Sequence, residues 1–299
     1  MIGMNKGAVL AHVVELKKVT KSFGKKVAVD NVSIVIDKGE IFGFLGPNGA
    51  GKTTTIRCLM DFIRPTSGTV KLFGSEIKGA GNKYKNRIGF LSADSVMYGN
   101  WTGQAHIDYV TRVRGVQQNA HELAQQFGLD LKAKVGNLSS GNKQKLGIIL
   151  AIMHKPDLLV LDEPTRGLDP MLQQELYGLL QDFRQKGGAV IMSSHNLSEV
   201  EQVCDRIGII KNGKMVASET IQGIRQMHSH SVKVAFSSTY DKKEFELPNV
   251  EIISAEKKKL ELHVKGNLNI LLQRLSRHSV RDIEITHASL EDIFMRYYE

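Results

Sequence analysis

Nine residues, Gly46-Pro47-Asn48-Gly49-Ala50-Gly51-Lys52-Thr53-Thr54, combine three glycines with one lysine and two threonines. They fit the spacing G-x-x-x-x-G-K-[ST], which cradles a polyphosphate. Glycines let backbone N–H groups turn inward around a phosphate with no Cβ in the way. Lys52 can bring a point charge to the β- and γ-phosphates, and the Thr53 hydroxyl can ligate Mg²⁺. Two further segments carry chemistry. "DLLVLDEP" ends in Asp162 and Glu163, and "GAVIMSSH" ends in His195. A carboxylate closing an apolar strand is costly unless a cation lies near it, so Asp162 marks a candidate metal position.

These groups need elements to hold them. "EIFGFL" (Glu40 to Leu45) is an apolar run of strand length and "KTTTIRCLM" reads as a helix, so the glycine-rich loop joins a strand to a helix N-terminus, where the dipole favours anions. From about Val13 to Asp37, β-branched and polar residues alternate around a turn at Gly24, which predicts a small antiparallel sheet. A strand pair is expected from "TVKLFG" (Thr69 to Gly74) and "RIGFL" (Arg87 to Leu91). Residues 103–154 are mostly helical in pattern, with a break near "KVGNLSSGN". A helix over about Pro170 to Gln185 and a hairpin, "IGIIKNGKMVAS", with Asn-Gly at its turn, complete this part. Alternating strands and helices give a largely parallel sheet that binds its ligand at the strands' carboxyl ends. The glycine loop, Asp162–Glu163 and His195 all fall at such ends, which makes them one site.

Beyond about Gln226 the texture changes to short strands ("SVKVAFSS", "KEFEL", "EIISA", "LELHV", "VRDIEI") with the amphipathic helix "LNILLQRLSRH" and a final helix "SLEDIFMRYYE". The expected organisation is a nucleotide-binding domain over 13–225, with a helical subdomain at about 95–155, and a small α+β domain over 226–299.

Composition bounds the function. The chain has 299 residues, 41% apolar and 24% charged, as in a globular protein with ample core. No apolar run approaches the ~20 residues needed to cross a bilayer, and the N-terminal stretch lacks a signal-peptide core, so a cytosolic location is expected. Cys58 and Cys204 lie in apolar helical segments and read as core residues, not as a disulfide or metal pair. The net charge of +9 is scattered among acids, with "EKKK" (Glu256 to Lys259) the densest run, so a solvated face is favoured over a membrane surface or nucleic acid. "HSH" (His228 to His230) reads as polar linker ahead of metal site.

Over residues 13 to 220 the sequence resembles the ATP-binding cassette (ABC) ATPase family. Phe23 in "KSFGKKVAV" stands where the family stacks an aromatic ring on adenine. "LSSGN", with Ser139, Ser140, Gly141 and Asn142, matches the signature L-S-G-G-Q, departing at Ser140 and Asn142. "LLVLDE" is similar to the family's second nucleotide motif, "GLDP" with Asp169 to its D-loop, and His195 to its switch histidine. The resemblance implies a P-loop ATPase fold of the α/β class: a largely parallel sheet, an antiparallel N-terminal sheet and a helical subdomain. It also implies ATP and Mg²⁺ as cofactors, with Thr53 and Asp162 at the metal. Glu163 would be the group that activates water, and His195 a contact to the γ-phosphate. Ser139, Ser140 and Gly141 precede a helical pattern and read as its N-cap; in the family that same helix N-terminus reaches the γ-phosphate of an opposite subunit. One departure stands out. Ala93 occupies the place of a glutamine that the family usually has after the strand "IGFL", and Asp94, next to it, is the candidate to face the metal instead.

The resemblance implies the ATPase subunit of a transporter with separate membrane-spanning permease subunits, a second ATPase subunit and no nucleic acid. The C-terminal part, around "ASLEDIF" (Ala288 to Phe294), resembles the extension found on ABC-2-type exporters of drugs and antibiotics. The alternatives are a soluble ABC ATPase acting on ribosomes or DNA and a metabolic kinase. The first would bring two cassettes or a long coiled-coil insertion, and the second would not need "LSSGN".

Overall fold

The computed structural model describes residues 12–77, 84–94, 96–115, 119–226 and 229–287. Contacts divide the chain into two compact units that meet between Ser218 and Glu219. His228 of the "HSH" segment and the "ASLEDIF" stretch lie outside the described residues.

In the first unit, β1 (Val14–Phe23) and β2 (Lys26–Ile36) form the expected antiparallel pair, turning at Gly24 with φ 56°. Following them in the chain are β3 (Ile41–Leu45), α1 (Lys52–Leu59), β4 (Ser67–Leu72), β5 (Ser75–Glu76) and β6 (Ile88–Leu91). The strand pair expected from "TVKLFG" and "RIGFL" is not formed. Instead β4 runs antiparallel beside β1, giving the order β2-β1-β4-β5. Only the alternate residues Val70 and Leu72 are buried, as suits a sheet packed on one face. β6 joins the other sheet.

Three helices follow: α2 (Gly103–Arg114), α3 (Ala120–Gln126) and α4 (Ser140–Ile152). Then come β7 (Leu158–Asp162), α5 (Pro170–Gln185), β8 (Ala189–Ser194), α6 (Leu197–Val203), β9 (Arg206–Lys211) and β10 (Lys214–Thr220). The second sheet has the order β10-β9-β3-β8-β7-β6, and β9, β3, β8, β7 and β6 run parallel. β3, β7 and β8 are buried at every position, which explains why they read as continuous apolar runs. Phe42, Phe44, Val160 and Ile191 pack against Val14, Leu16, Ile34 and Leu72 of the first sheet in one core. Fully burying side chains of this size is worth about 1.5–3 kcal/mol each. Cys58 and Cys204 are free and buried, and burial pushes the Cys58 thiol up to about 11.

Capping sets the helix starts. Thr102 accepts from the Ala105 amide and opens α2, which closes at left-handed Gly115. Asp169 accepts from the Leu172 amide at 3.0 Å ahead of Pro170 at the first position of α5.

The second unit contains α7 (Ile221–Gln226), β11 (Ser229–Phe236), β12 (Val250–Ala255), β13 (Lys259–Lys265), α8 (Asn269–Leu275) and β14 (Val280–His287). Its antiparallel sheet has the order β12-β13-β11-β14. Val232, Val234, Leu260, Leu262 and Val264 form a core with Leu271 and Leu275 of α8. "KEFEL" is not a strand but a 3-10 turn, Lys242–Phe245, capped by Asp241 and anchored by fully buried Phe245. The cap and the single apolar anchor override the alternation.

Candidate functional site: a phosphate loop and its acid pair

Strand register assembles the site. Phe44 lies level with Ser193, and Ser193 level with Asp162, while Leu45 lies level with Ser194. The next residue on each strand is therefore Gly46, His195 or Glu163, and the three loops start side by side at one sheet edge. The Gly46 amide donates to Ser194 O at 3.3 Å, fixing two of them together.

The glycine loop has no space for side chains where it matters. A Cβ on Gly46 would meet Ile210 O at 2.4 Å, and one on Gly51, at φ 114°, would meet Ala28 O at 2.6 Å. Ala50 O accepts from the Gly213 amide at 2.9 Å, so the hairpin turn of β9 and β10 clamps the loop from outside. Pro47, Asn48, Gly49 and Ala50 form the tip, and Thr53 and Thr54 open α1. Phe23, 52% exposed at the end of β1, carries the Lys21 ammonium 5.1 Å above its ring.

Inside the loop Lys52 is only 6% exposed. Its ammonium donates to Gly46 O at 2.5 Å and lies 3.4 Å from Glu163 Oε1. Asp162 is 1% exposed, and its carboxylate accepts from Thr53 Oγ1 at 2.8 Å and Ser193 Oγ at 2.5 Å. Two hydroxyls occupy two of its roughly four lone-pair sites. Glu163 accepts from His195 Nδ1 at 2.7 Å, while its Oε1 is buried with no hydrogen bond. Because the His195 Nδ1–H donates to a carboxylate, Nε2 of this exposed ring is left for another partner. Glu163 itself sits at φ 53°, a left-handed conformation that is strained for a residue other than glycine, and the Ser193 hydroxyl accepts from its amide at 3.0 Å.

Hard oxygen ligands from one hydroxyl and one carboxylate suit Mg²⁺, which takes its remaining ligands from water and phosphate. Thr53 and Asp162 fit that requirement, and Glu163 Oε1, which accepts no hydrogen bond, fits an acceptor for a water proton. Among the described residues no cluster of three or more His, Cys, Asp or Glu side chains forms a metal cage.

Ser139 caps α4, accepting from the Asn142 amide at 3.2 Å, and Ser140 and Gly141 begin the helix. A Cβ on Gly141 would come within 2.9 Å of Gly167 O, so the helix start lies directly on the strap that follows Glu163. Gln144 of the same helix donates to Pro164 O at 2.8 Å. Asp94 is highly exposed, and its carboxylate accepts from Arg166 at 3.2 Å. Ser193, Gln144 and Arg166 are the contributors that the sequence reading missed. None of the three carried a distinctive spacing in the sequence.

Comparison with known proteins gives the same picture. The ABC transporter family model matches residues 29–166, and that of the DrrA1-3-like ATP-binding protein C-terminal domain matches residues 220–298. The bacitracin transport ATP-binding protein BcrA of Bacillus licheniformis is 33% identical over 302 residues, covering 96% of this chain and 97% of BcrA. The probable multidrug ABC transporter ATP-binding protein YbhF of Escherichia coli is 37% identical over 215 residues; the alignment covers 70% of this chain and spans 37% of YbhF. A solved ATP-binding subunit of an ABC transporter is 28% identical with a TM-score of 0.67, covering 72% of this chain and 92% of that one. A bacterial ABC transporter cassette solved as a dimer, at 24% identity and a TM-score of 0.64, has the same fold over 70% of this chain and 99% of its own length. The phosphate loop, the acid pair and the capped helix start thus belong to a familiar scaffold, and the chain is a member of the ABC transporter ATP-binding protein family.

Proposed function

We propose that the protein binds and hydrolyses ATP as a dimer and thereby drives a separate membrane-spanning permease, in the direction of export. The observation that supports this most is the line Lys52–Glu163–His195 beside Thr53–Asp162, held at one sheet edge by strand register. Phe23 would stack on the adenine, and residues Gly46 to Thr54 would enclose the phosphates. Mg²⁺, held by Thr53 and Asp162, would neutralise phosphate charge. Glu163 would take the proton of the attacking water, with His195 orienting its carboxylate. Ser139, Ser140, Gly141 and Asn142 would close on the nucleotide of the second subunit, since capping and phosphate binding use the same free N–H groups of a helix N-terminus. Asp169, at the next helix cap, would lie along that dimer contact.

The export reading is supported by the match over both units to BcrA, a bacitracin transport ATP-binding protein. Among the described residues no helix is long and apolar enough to cross a membrane, so the pathway would belong to the permease and the protein would sit peripherally on its cytoplasmic face. Tyr98, 62% exposed, lies 4.6 Å from the Trp101 ring at a tilt of 32°, and Tyr109 meets the same indole edge-on at 5.6 Å; these rings offer a surface for that partner. The test is Mg²⁺-dependent phosphate release by the purified chain, followed by identification of membrane proteins that co-purify with it. Absence of phosphate release with every nucleoside triphosphate would sink the reading.

A further inference from the structure

Asp94 and Arg166 join two loops that perform different tasks. Arg166 lies on the strap that starts at Glu163, and the strap is tied internally: the Arg166 amide donates to Glu163 O at 3.2 Å, and the Leu168 amide to Thr165 O at 3.0 Å. Gln144 holds Pro164 O from one side, and Gly141 packs on Gly167 from another. What projects outward is the Arg166 guanidinium, 66% exposed, and it meets Asp94 at 3.2 Å. Asp94 is 87% exposed and lies four residues before Tyr98, the start of the exposed aromatic group. An exposed pair of this kind contributes little to stability. What it does is bridge the loop after β6 and the strap that follows Glu163.

We propose that Arg166 is a positioning residue, and that the Asp94–Arg166 pair transmits displacement of the loop after β6 to the water-activating carboxylate of Glu163. A shift of that loop pulls the Arg166 side chain, and the Arg166 N–H···O=C bond passes the shift to Glu163. At φ 53° Glu163 occupies a narrow backbone well, so small movements of the strap reorient its carboxylate. The pair would then perform with two charges the coupling for which Ala93 supplies no side chain. This inference rests on the reading of Glu163 as the group that activates water.

The experiment uses the full chain with Asp94→Ala, Arg166→Ala, the double variant, Arg166→Lys and the exchanged pair Asp94→Arg with Arg166→Asp. kcat, KM for ATP, the Mg²⁺ concentration for half-maximal turnover and the melting temperature are measured for each. Each alanine variant should lower kcat by roughly three- to tenfold, leaving KM, Mg²⁺ half-saturation and melting temperature unchanged. The double variant should be no worse than either single one, and Arg166→Lys or the exchanged pair should recover most of the loss. Wild-type kcat in Arg166→Ala, additive losses in the double variant, or no recovery in either rescue overturns the proposal. So does a Mg²⁺ shift in Asp94→Ala that Arg166→Ala does not share, because the carboxylate would then act on the metal. Glu163→Gln separates the two readings: if it turns over at the wild-type rate, water activation is misassigned, whereas slow turnover there together with a normal Arg166→Ala removes only the link.

Discussion

At the scale of single residues, the site divides into groups whose type was visible in the sequence and groups visible only in space. Lys52, Thr53, Asp162 and Glu163 were legible because phosphate and metal chemistry demand those types at that spacing. Ser193 was hidden because a serine in an apolar strand has no distinctive spacing, and its role depends on β8 lying level with β7. Glu163→Gln removes the proposed proton acceptor but keeps the shape. It should therefore bind ATP, slow hydrolysis by about 10²–10⁴-fold and accumulate as an ATP-dependent dimer, seen by phosphate release and size-exclusion chromatography. Lys52→Ala acts earlier. Losing a charge-assisted contact to phosphate costs about 1.5–3 kcal/mol, so ATP affinity measured by calorimetry should drop roughly tenfold to a hundredfold.

At the scale of elements, helix starts were easier to read than strand partners. A cap is local: Ser139, Asp169 and Thr102 each bind an amide three residues ahead, and each sits before a helical pattern. Strand pairing is not local, which is why β4 and β6 were expected together yet belong to different sheets. The same limit applied to "KEFEL", whose alternation suits a strand until Asp241 captures the Lys243 amide at 3.0 Å. Ser139→Ala tests the cap. It should destabilise the cassette by about 1 kcal/mol in urea unfolding and also weaken ATP-dependent dimerisation, because the proposed function gives one helix start both purposes. Loss of stability with unimpaired dimerisation would confine Ser139 to capping.

At the scale of the whole molecule, the helical region is fastened to the sheet through a buried histidine. His154 follows α4, and its Nε2 lies 2.8 Å from Arg114 Nη1 at the end of α2; Arg114 also donates to Lys85 O at 2.8 Å next to β6. Burial, and then the Arg114 charge, push His154 down from 6.5 to about 4. Above the ordinary histidine range both folded and unfolded chains hold it neutral, so its protonation contributes no pH dependence there. As pH falls from 6.5 toward 4 the unfolded chain takes up a proton that the folded chain refuses, and stability is lost on the order of 2 kcal/mol. Denaturant unfolding from pH 7 to 4 should show this loss, and His154→Gln should flatten that part of the curve. The left-handed backbone of Glu163 also bears on the molecule as a whole, as a trade between durability and turnover. Asparagine tolerates that conformation far better than glutamine does, and neither carries the charge. Glu163→Asn should therefore melt about 2–4 °C higher than Glu163→Gln, a relief of about 1 kcal/mol. On the proposed reading, catalysis keeps at this position a residue that the backbone alone would reject.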